Sequence, residues 1–285
     1  MPDFPRTQIE DTSISRMIIG TNWFLGYSHT SKAQDDFIKQ LGTRQHIAEV
    51  LKVYLQNGVD TIMGVRPESP HLSAAIKDAE DAIGRKMILI STPSMDLSDS
   101  STAADQNARI LDAQAALGTK ICMPHQSTTD ALVDRRSHRI AGMEKFCAMI
   151  RQRGMIPGLS THMPETPVYA DESNLDVGTY IQIYNAAGFL MQIEIDWVHR
   201  MIWNARHPVI TIKPMAAGRV MPLVGLAFSW ATIRPIDAVT VGTMTADEAR
   251  EVIDISLSIL ENRRATVELQ RTRSKESVET RCGKK

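Results

Sequence analysis

The sequence predicts a single (β/α)8 barrel, on three observations. Between Ser15 and Arg263 short apolar, β-branched runs alternate with longer segments of helical period, which is the signature of parallel βα units. The runs number eight over about 250 residues, the usual extent of such a barrel. A doubly wound sheet, the competing fold, would lead one to look for a GxGxxG loop after a strand, and the chain has none.

The expected strands are 17–21, 61–65, 87–92, 121–124, 156–160, 180–184, 209–213 and 238–242, numbered strands 1 to 8 in that order. The clearest helices are 46–56, which stops at Asn57-Gly58, then 70–83, 105–117 and 140–153, each followed closely by glycine, and 246–260, which starts after Thr245 as N-cap. Weaker helical patterns follow Pro167 and Ile195, and another covers 223–229. Residues 1–264 form the barrel domain in this reading. The stretch 265–285 is polar and basic, with few large apolar residues, and reads as a solvated helix that frays into disorder.

Composition excludes several function classes. With 43% hydrophobic and 23% charged residues the chain is globular. Lys plus Arg is 32 against 33 for Asp plus Glu, so nothing in the charge balance points to a nucleic-acid or acidic-lipid partner. The three cysteines are widely spaced without a CxxC, which argues against a disulfide framework or a cysteine zinc site. No stretch reads as a signal peptide or a membrane span, so a cytoplasmic protein acting on a small molecule is expected, its oligomeric state left open.

In a barrel of this kind the chemistry sits where the strands end, so the residues just beyond each run are the candidates. His125 follows strand 4 and His162 follows strand 5. Neighbouring strands lie about 4.8 Å apart, so the two imidazoles are placed to share a divalent ion (zinc, manganese or iron), with Glu165 or His29 as a further ligand. The plainer alternative is that each histidine donates to a loop carbonyl. Lys213 ends an otherwise apolar strand, a position from which an ammonium stabilises an oxyanion, binds a carboxylate or, when desolvated, forms a Schiff base; a structural ion pair is the other possibility. Arg219, Gly242 and Thr243 lie in the loops after strands 7 and 8, where barrels often hold anions. Trp23 and Tyr27 follow strand 1 and suit the apolar wall of a small-molecule pocket; Arg66, Glu68, Tyr184 and Asn185 complete the polar rim.

The order of several motifs resembles the aldo-keto reductase superfamily: Ser15 to Thr21 (SRMIIGT), His125-Gln126, Tyr184-Asn185, Lys213 to Arg219 (KPMAAGR) and Val241 to Thr245 (VGTMT). The resemblance runs from Ser15 to about Leu260 and implies the same barrel with NADP as cofactor. It also implies a catalytic set of Asp, Tyr, Lys and His, of which only the histidine carries over, at His125. Met63 or Gly64 and Glu68 stand near the positions of the aspartate and tyrosine, and Thr92-Pro93 stands where Thr-Lys is the pattern. Asp247 and Glu248 occupy the helix start where basic residues would clamp a 2'-phosphate. The Gly26 to His29 (GYSH) and Gly158 to His162 (GLSTH) segments also resemble motifs of barrels that carry no assigned activity.

Three functions follow as expectations. The first is an enzyme acting on a small polar substrate, a sugar or a hydroxy or keto acid, by metal-assisted or His/Lys acid-base chemistry of isomerase, lyase or hydrolase type. The second is a divergent NAD(P)-dependent oxidoreductase in which His125 polarises the carbonyl and Glu68 or Tyr184 acts as the acid. The third is a non-catalytic ligand-binding barrel.

Overall fold

Eight parallel strands pair in sequence order and the last closes on the first. In the computed structural model they are β1 (Met17–Gly20), β2 (Thr61–Met63), β3 (Ile88–Ser91), β4 (Ile121–Cys122), β5 (Ile156–Ser160), β6 (Thr179–Ile183), β7 (Val209–Ile212) and β8 (Ala238–Val241). The closing register pairs Val239 with Met17 and Val241 with Ile19. The structure describes residues 3–98, 100–267, 270 and 272–282.

Alternation along each strand builds two cores. Ile18, Ile90, Ile121, Ile156, Ile181, Ile210 and Ala238 point inward and fill the barrel, while Met17, Ile19, Ile62, Leu159, Tyr180, Val209 and Val239 point outward beneath the helices. Each expected strand is present, most of them ending earlier than expected because the chain leaves the ladder at the rim. Gly64 (φ 96°) and Lys213 (φ 62°) turn it there.

The bottom of the barrel holds an element absent from the sequence reading. Arg6–Ile9 and Thr12–Ser15 form an antiparallel hairpin that delivers Ile9 and Ile14, both fully buried, into the interior cluster. Side chains fasten it. Ser15 Oγ accepts the Asp60 and Thr61 amides at 3.2 Å, Thr61 Oγ1 accepts the Ser15 amide at 3.1 Å, and Arg6 pairs with Asp60 at 2.7 Å. The hairpin gives little signal in the sequence because only alternate residues of so short an element are apolar.

The helices lie near their expected places: Arg44–Gln56, Pro70–Ile83, Ala103–Ala116, Met143–Arg151, Glu165–Glu172, Ile195–Asn204, Pro222–Thr232 and Ala246–Leu260. Helix Lys32–Leu41, capped by Ser31, is additional. So is a small hairpin, Val133–Asp134 with Arg139–Ile140, which takes up the start of the segment expected to be helical from 140. Beyond the barrel, Ala265 and Val267 still rest on the outer core and Thr266 donates its amide to Asp254 at 2.6 Å. Arg273–Cys282 is helical, and its described side chains are exposed through Val278; 268, 269, 271 and 283–285, also in the expected tail, lie outside the described residues. Among the described residues no helix is long and apolar enough to cross a membrane.

If the hairpin is part of the cooperative core, Ile14→Ala removes a filled interior position and lowers the unfolding free energy by about 2–5 kcal/mol in urea titrations. A loss under about 1 kcal/mol would show that the barrel floor stands without it.

Candidate active site

The rim at the strand C-termini encloses a cavity of about 890 Å³. Its floor is Gly20, Met63, Ser160, Ile181, Ile212 and Thr240, inward-facing residues near the C-terminal ends of six strands. Its walls bring together Trp23, Tyr27, His29, Arg66, His125, His162, Lys213, Gly242 and Thr243, all proposed from the sequence.

Lys213 reaches the cavity by a break in the strand. Along β7, Val209 faces the helices and Ile210 faces the interior, so regular alternation would turn residue 213 outward. A left-handed backbone at Lys213 interrupts that alternation, and the side chain lines the cavity. Burial alone drives its ammonium below the ordinary lysine pKa. No hydrogen bond or ion pair holds the Lys213 ammonium among the described residues, so the structural ion pair considered above is absent there.

The three histidines are held by their loops. His125 Nδ1 lies 2.8 Å from Ser127 Oγ and accepts the Ser127 amide at 3.3 Å. An acceptor at Nδ1 assigns the proton to Nε2, so the ring offers an N–H donor at its other end. His162 is positioned by Asp130, which accepts the His162 amide at 3.1 Å and the Thr161 hydroxyl. Sequence reasoning passed over Asp130, though it is the first acid after the His125-Gln126 pair. His29 has a left-handed backbone (φ 60°) in a loop tied by Ser28 to Asp35 at 2.6 Å. Burial and the nearby Lys213 charge hold His162 well below its usual range, at about 4; burial first, then Lys213, also lowers His29, and burial with Arg66 lowers His125. At neutral pH the His162 ring is therefore an uncharged base.

Arg66 lines the same wall, with its guanidinium 6.0 Å from the Tyr27 ring and no carboxylate partner among the described residues. Gly242 has an ordinary backbone and serves a different purpose from the tight turn or anion cradle expected. A Cβ there would meet Trp23 Cδ1 at 2.6 Å, so glycine lets the indole close over β8. Thr243 shares a 3.1 Å hydrogen bond with the buried Tyr54 hydroxyl.

Five expected site residues are not brought into the cavity. Tyr184 keeps to the pleat and packs outward on Phe228, ring centroids 4.9 Å apart, so burial raises its hydroxyl pKa in the wrong compartment for a catalytic acid. Asn185 is spent on its own loop, its Oδ1 accepting the Ala187 and Phe189 amides and its Nδ2 donating to the Phe189 carbonyl. Glu165 starts the helix after β5 and turns to Arg135 at 2.6 Å. Glu68 is exposed beyond the rim. Arg219 lies outside, stacked on Phe189 at 4.1 Å.

The expected metal set therefore does not assemble. Among the described residues no three His, Cys, Asp or Glu side chains lie together to hold an ion. The start of helix Ala246–Leu260 is closed by a variant of the capping box: Thr245 Oγ1 accepts the Glu248 amide at 3.1 Å, and Glu248 reaches back to accept the amide of Met244, the residue before the cap, at 2.6 Å. The helix end already carries its own anion, which disfavours a phosphate there.

Because these histidines titrate lower folded than unfolded, the unfolded chain binds more protons between pH 6.5 and about 4, and stability falls as pH drops through that window. His162→Asn cannot charge, so its stability should fall less steeply with acid than the wild type in paired urea titrations. Parallel slopes would remove His162 from the buried, uncharged role.

No family model and no curated protein sequence matches this chain. Solved structures do. A candidate aldo-keto reductase from Pseudomonas aeruginosa is 14% identical with a TM-score of 0.64, over 90% of this chain and 97% of that one. An aldo/keto reductase from Klebsiella pneumoniae, solved with NADP and acetate, is 15% identical with a TM-score of 0.53, over 99% and 95%. A D-psicose 3-epimerase solved in the presence of D-fructose is 16% identical with a TM-score of 0.50, over 79% and 84%. The likeness is one of fold, and the chain has an aldo-keto reductase-like (β/α)8 barrel.

Proposed function

We propose that the protein is an enzyme that moves a proton beside the carbonyl of a small oxo or hydroxy acid, a reaction of isomerase or lyase type. The observation that carries this reading is the meeting of two cations without a carboxylate partner among the described residues, Lys213 and Arg66, with an uncharged His162 on one cavity. Arg66 offers a two-pronged donor to a carboxylate. Lys213 and the His125 Nε2–H draw electron density from the carbonyl oxygen, which acidifies the neighbouring C–H. His162 takes that proton and returns it to the same carbon, to its other face or to the next atom. Trp23 and Tyr27 supply the apolar wall.

Nicotinamide-dependent reduction is the second reading, favoured by the fold likeness to a reductase solved with NADP. The filled capping box and the outward Tyr184 count against it. Titration with NADPH, followed by Trp23 fluorescence, should show no saturable quenching; saturable quenching with hydride transfer to an oxo acid would replace the first reading with this one.

Proton exchange in heavy water is the direct test, with pyruvate and dihydroxyacetone as acidic and neutral probes. Wild type should exchange the protons next to the carbonyl, and His162→Ala should slow this by about 10²- to 10⁴-fold. Arg66→Met should raise KM for pyruvate while leaving that for dihydroxyacetone nearly unchanged. Equal effects on both probes would take the carboxylate away from Arg66.

A further inference from the structure

We propose that Lys213 acts covalently, its Nζ condensing with the substrate carbonyl to form an imine. The inference rests on the proton-transfer reading above and deepens it by naming the species from which the proton leaves.

Geometry carries it. Lys213 is buried on the cavity wall with no carboxylate partner among the described residues, so nothing there holds it as an ammonium. Ile181, Ile212, Pro214 and Met215 line the same cavity, and the groups near enough to feel the Lys213 charge are His29 and His162, not a carboxylate. The loop that presents it is strained, with Lys213, Ala216 and Ala217 all in the left-handed region at φ 62°, 49° and 55°. Each is disfavoured relative to a right-handed residue, and such strain gathers where a group must be held against its local preference. The desolvation that lowers the Lys213 pKa enlarges the fraction present as free amine, the nucleophilic form.

The step balances without any oxidant or reductant. The Nζ lone pair of the neutral amine attacks the carbonyl carbon and the carbonyl π pair moves to oxygen, where the His125 Nε2–H stabilises it as a hydrogen-bond donor. One Nζ proton passes to that oxygen to give a neutral carbinolamine; a proton from solvent lets the hydroxyl leave as water, the nitrogen lone pair forms the C=N bond, and the product is a protonated imine, the solvent proton being returned on hydrolysis. His162 then removes the adjacent C–H proton as the electron pair passes into the C–N system to give an enamine. Return of a proton and hydrolysis by one water release product and restore the amine.

Borohydride trapping tests the proposal on the full chain. Protein incubated with pyruvate and reduced with sodium cyanoborohydride should gain the mass of pyruvate less one oxygen, on the peptide containing Lys213. The rate of adduct formation should rise through an apparent pKa below 10.5. Lys213→Arg keeps the charge but cannot form the imine, so it should lose both the adduct and proton exchange; Lys213→Met should behave alike. Exchange by wild type without an adduct, or exchange retained in Lys213→Arg, overturns the imine and leaves the proton-transfer reading standing. An adduct of equal yield in Lys213→Arg would place the reactive amine elsewhere and also overturn it. Absence of both exchange and adduct with either probe overturns the two together.

Discussion

Closure of the parallel sheet is the constraint on which the rest depends. With eight strands running one way, every strand ends on the same rim, and no edge is left to pair with another chain. Closure also divides each strand strictly between an interior face and a helix face. The interior below the rim is filled by isoleucines and by the hairpin residues Ile9 and Ile14, so no ligand can sink into the barrel. Inward positions near the strand ends, the loops beyond them and the start of helix Ala246–Leu260 remain to shape a site, and the cavity is built mainly from those.

Within that geometry, electrostatics sorts the polar groups by their partners. The surface arginines and lysines are widely paired, as Arg44 is with Asp78 and Arg151 with Glu10 and Asp176. The buried Asp237 is likewise met by Arg234 at 2.8 Å and by the Val209 amide. Lys213 and Arg66 depart from this pattern. A desolvated cation without a counter-charge is unfavourable in the empty protein, and a carboxylate or a polarised carbonyl oxygen relieves that cost when it binds. The neighbouring histidines add no charge at neutral pH, since Lys213 itself helps to keep His162 and His29 unprotonated. Burial first, and this one lysine second, hold both bases uncharged.

How much of this was legible in the sequence depends on the kind of information required. The strands followed from their β-branched runs, and Gly84 and Thr245 marked helix ends as written, whereas the Thr43 cap that starts its helix at Arg44 was not read. Side-chain direction at the rim was not legible, and Tyr184 and Lys213 show why. Ile183 and Ile212 are register partners, so both residues stand one step past the end of adjacent strands at the same height. Tyr184 continues the ladder, donating its amide to the Ile212 carbonyl at 3.2 Å, and stays on the helix face. Lys213 leaves the ladder through a positive φ and enters the cavity. Nothing in a run of residues announces a left-handed lysine, because glycine is the residue that usually occupies that region. Glu165 and Asn185 were misjudged for a related reason: each has a nearby partner, Arg135 or its own loop, that distance along the chain does not reveal.

The strained loop after β7 persists because other contacts leave it no alternative. Ala216 donates its amide to the Lys213 carbonyl at 2.9 Å, and the Gly218 and Val220 amides both bond the Met215 carbonyl, at 2.9 and 3.1 Å. Helix Pro222–Thr232 then presses on the same turn through Gly225, where a Cβ would lie 2.6 Å from the Pro214 carbonyl oxygen. That helix is itself fixed by Trp230 and Leu226 in the outer core and by Phe228 against Tyr184. Tyr184, which does no chemistry in this reading, is therefore part of what holds Lys213 in place. The two residues that share a height on the rim divide the work between them: one faces out and anchors the helix that fixes the loop, the other is turned in by that loop to meet the substrate.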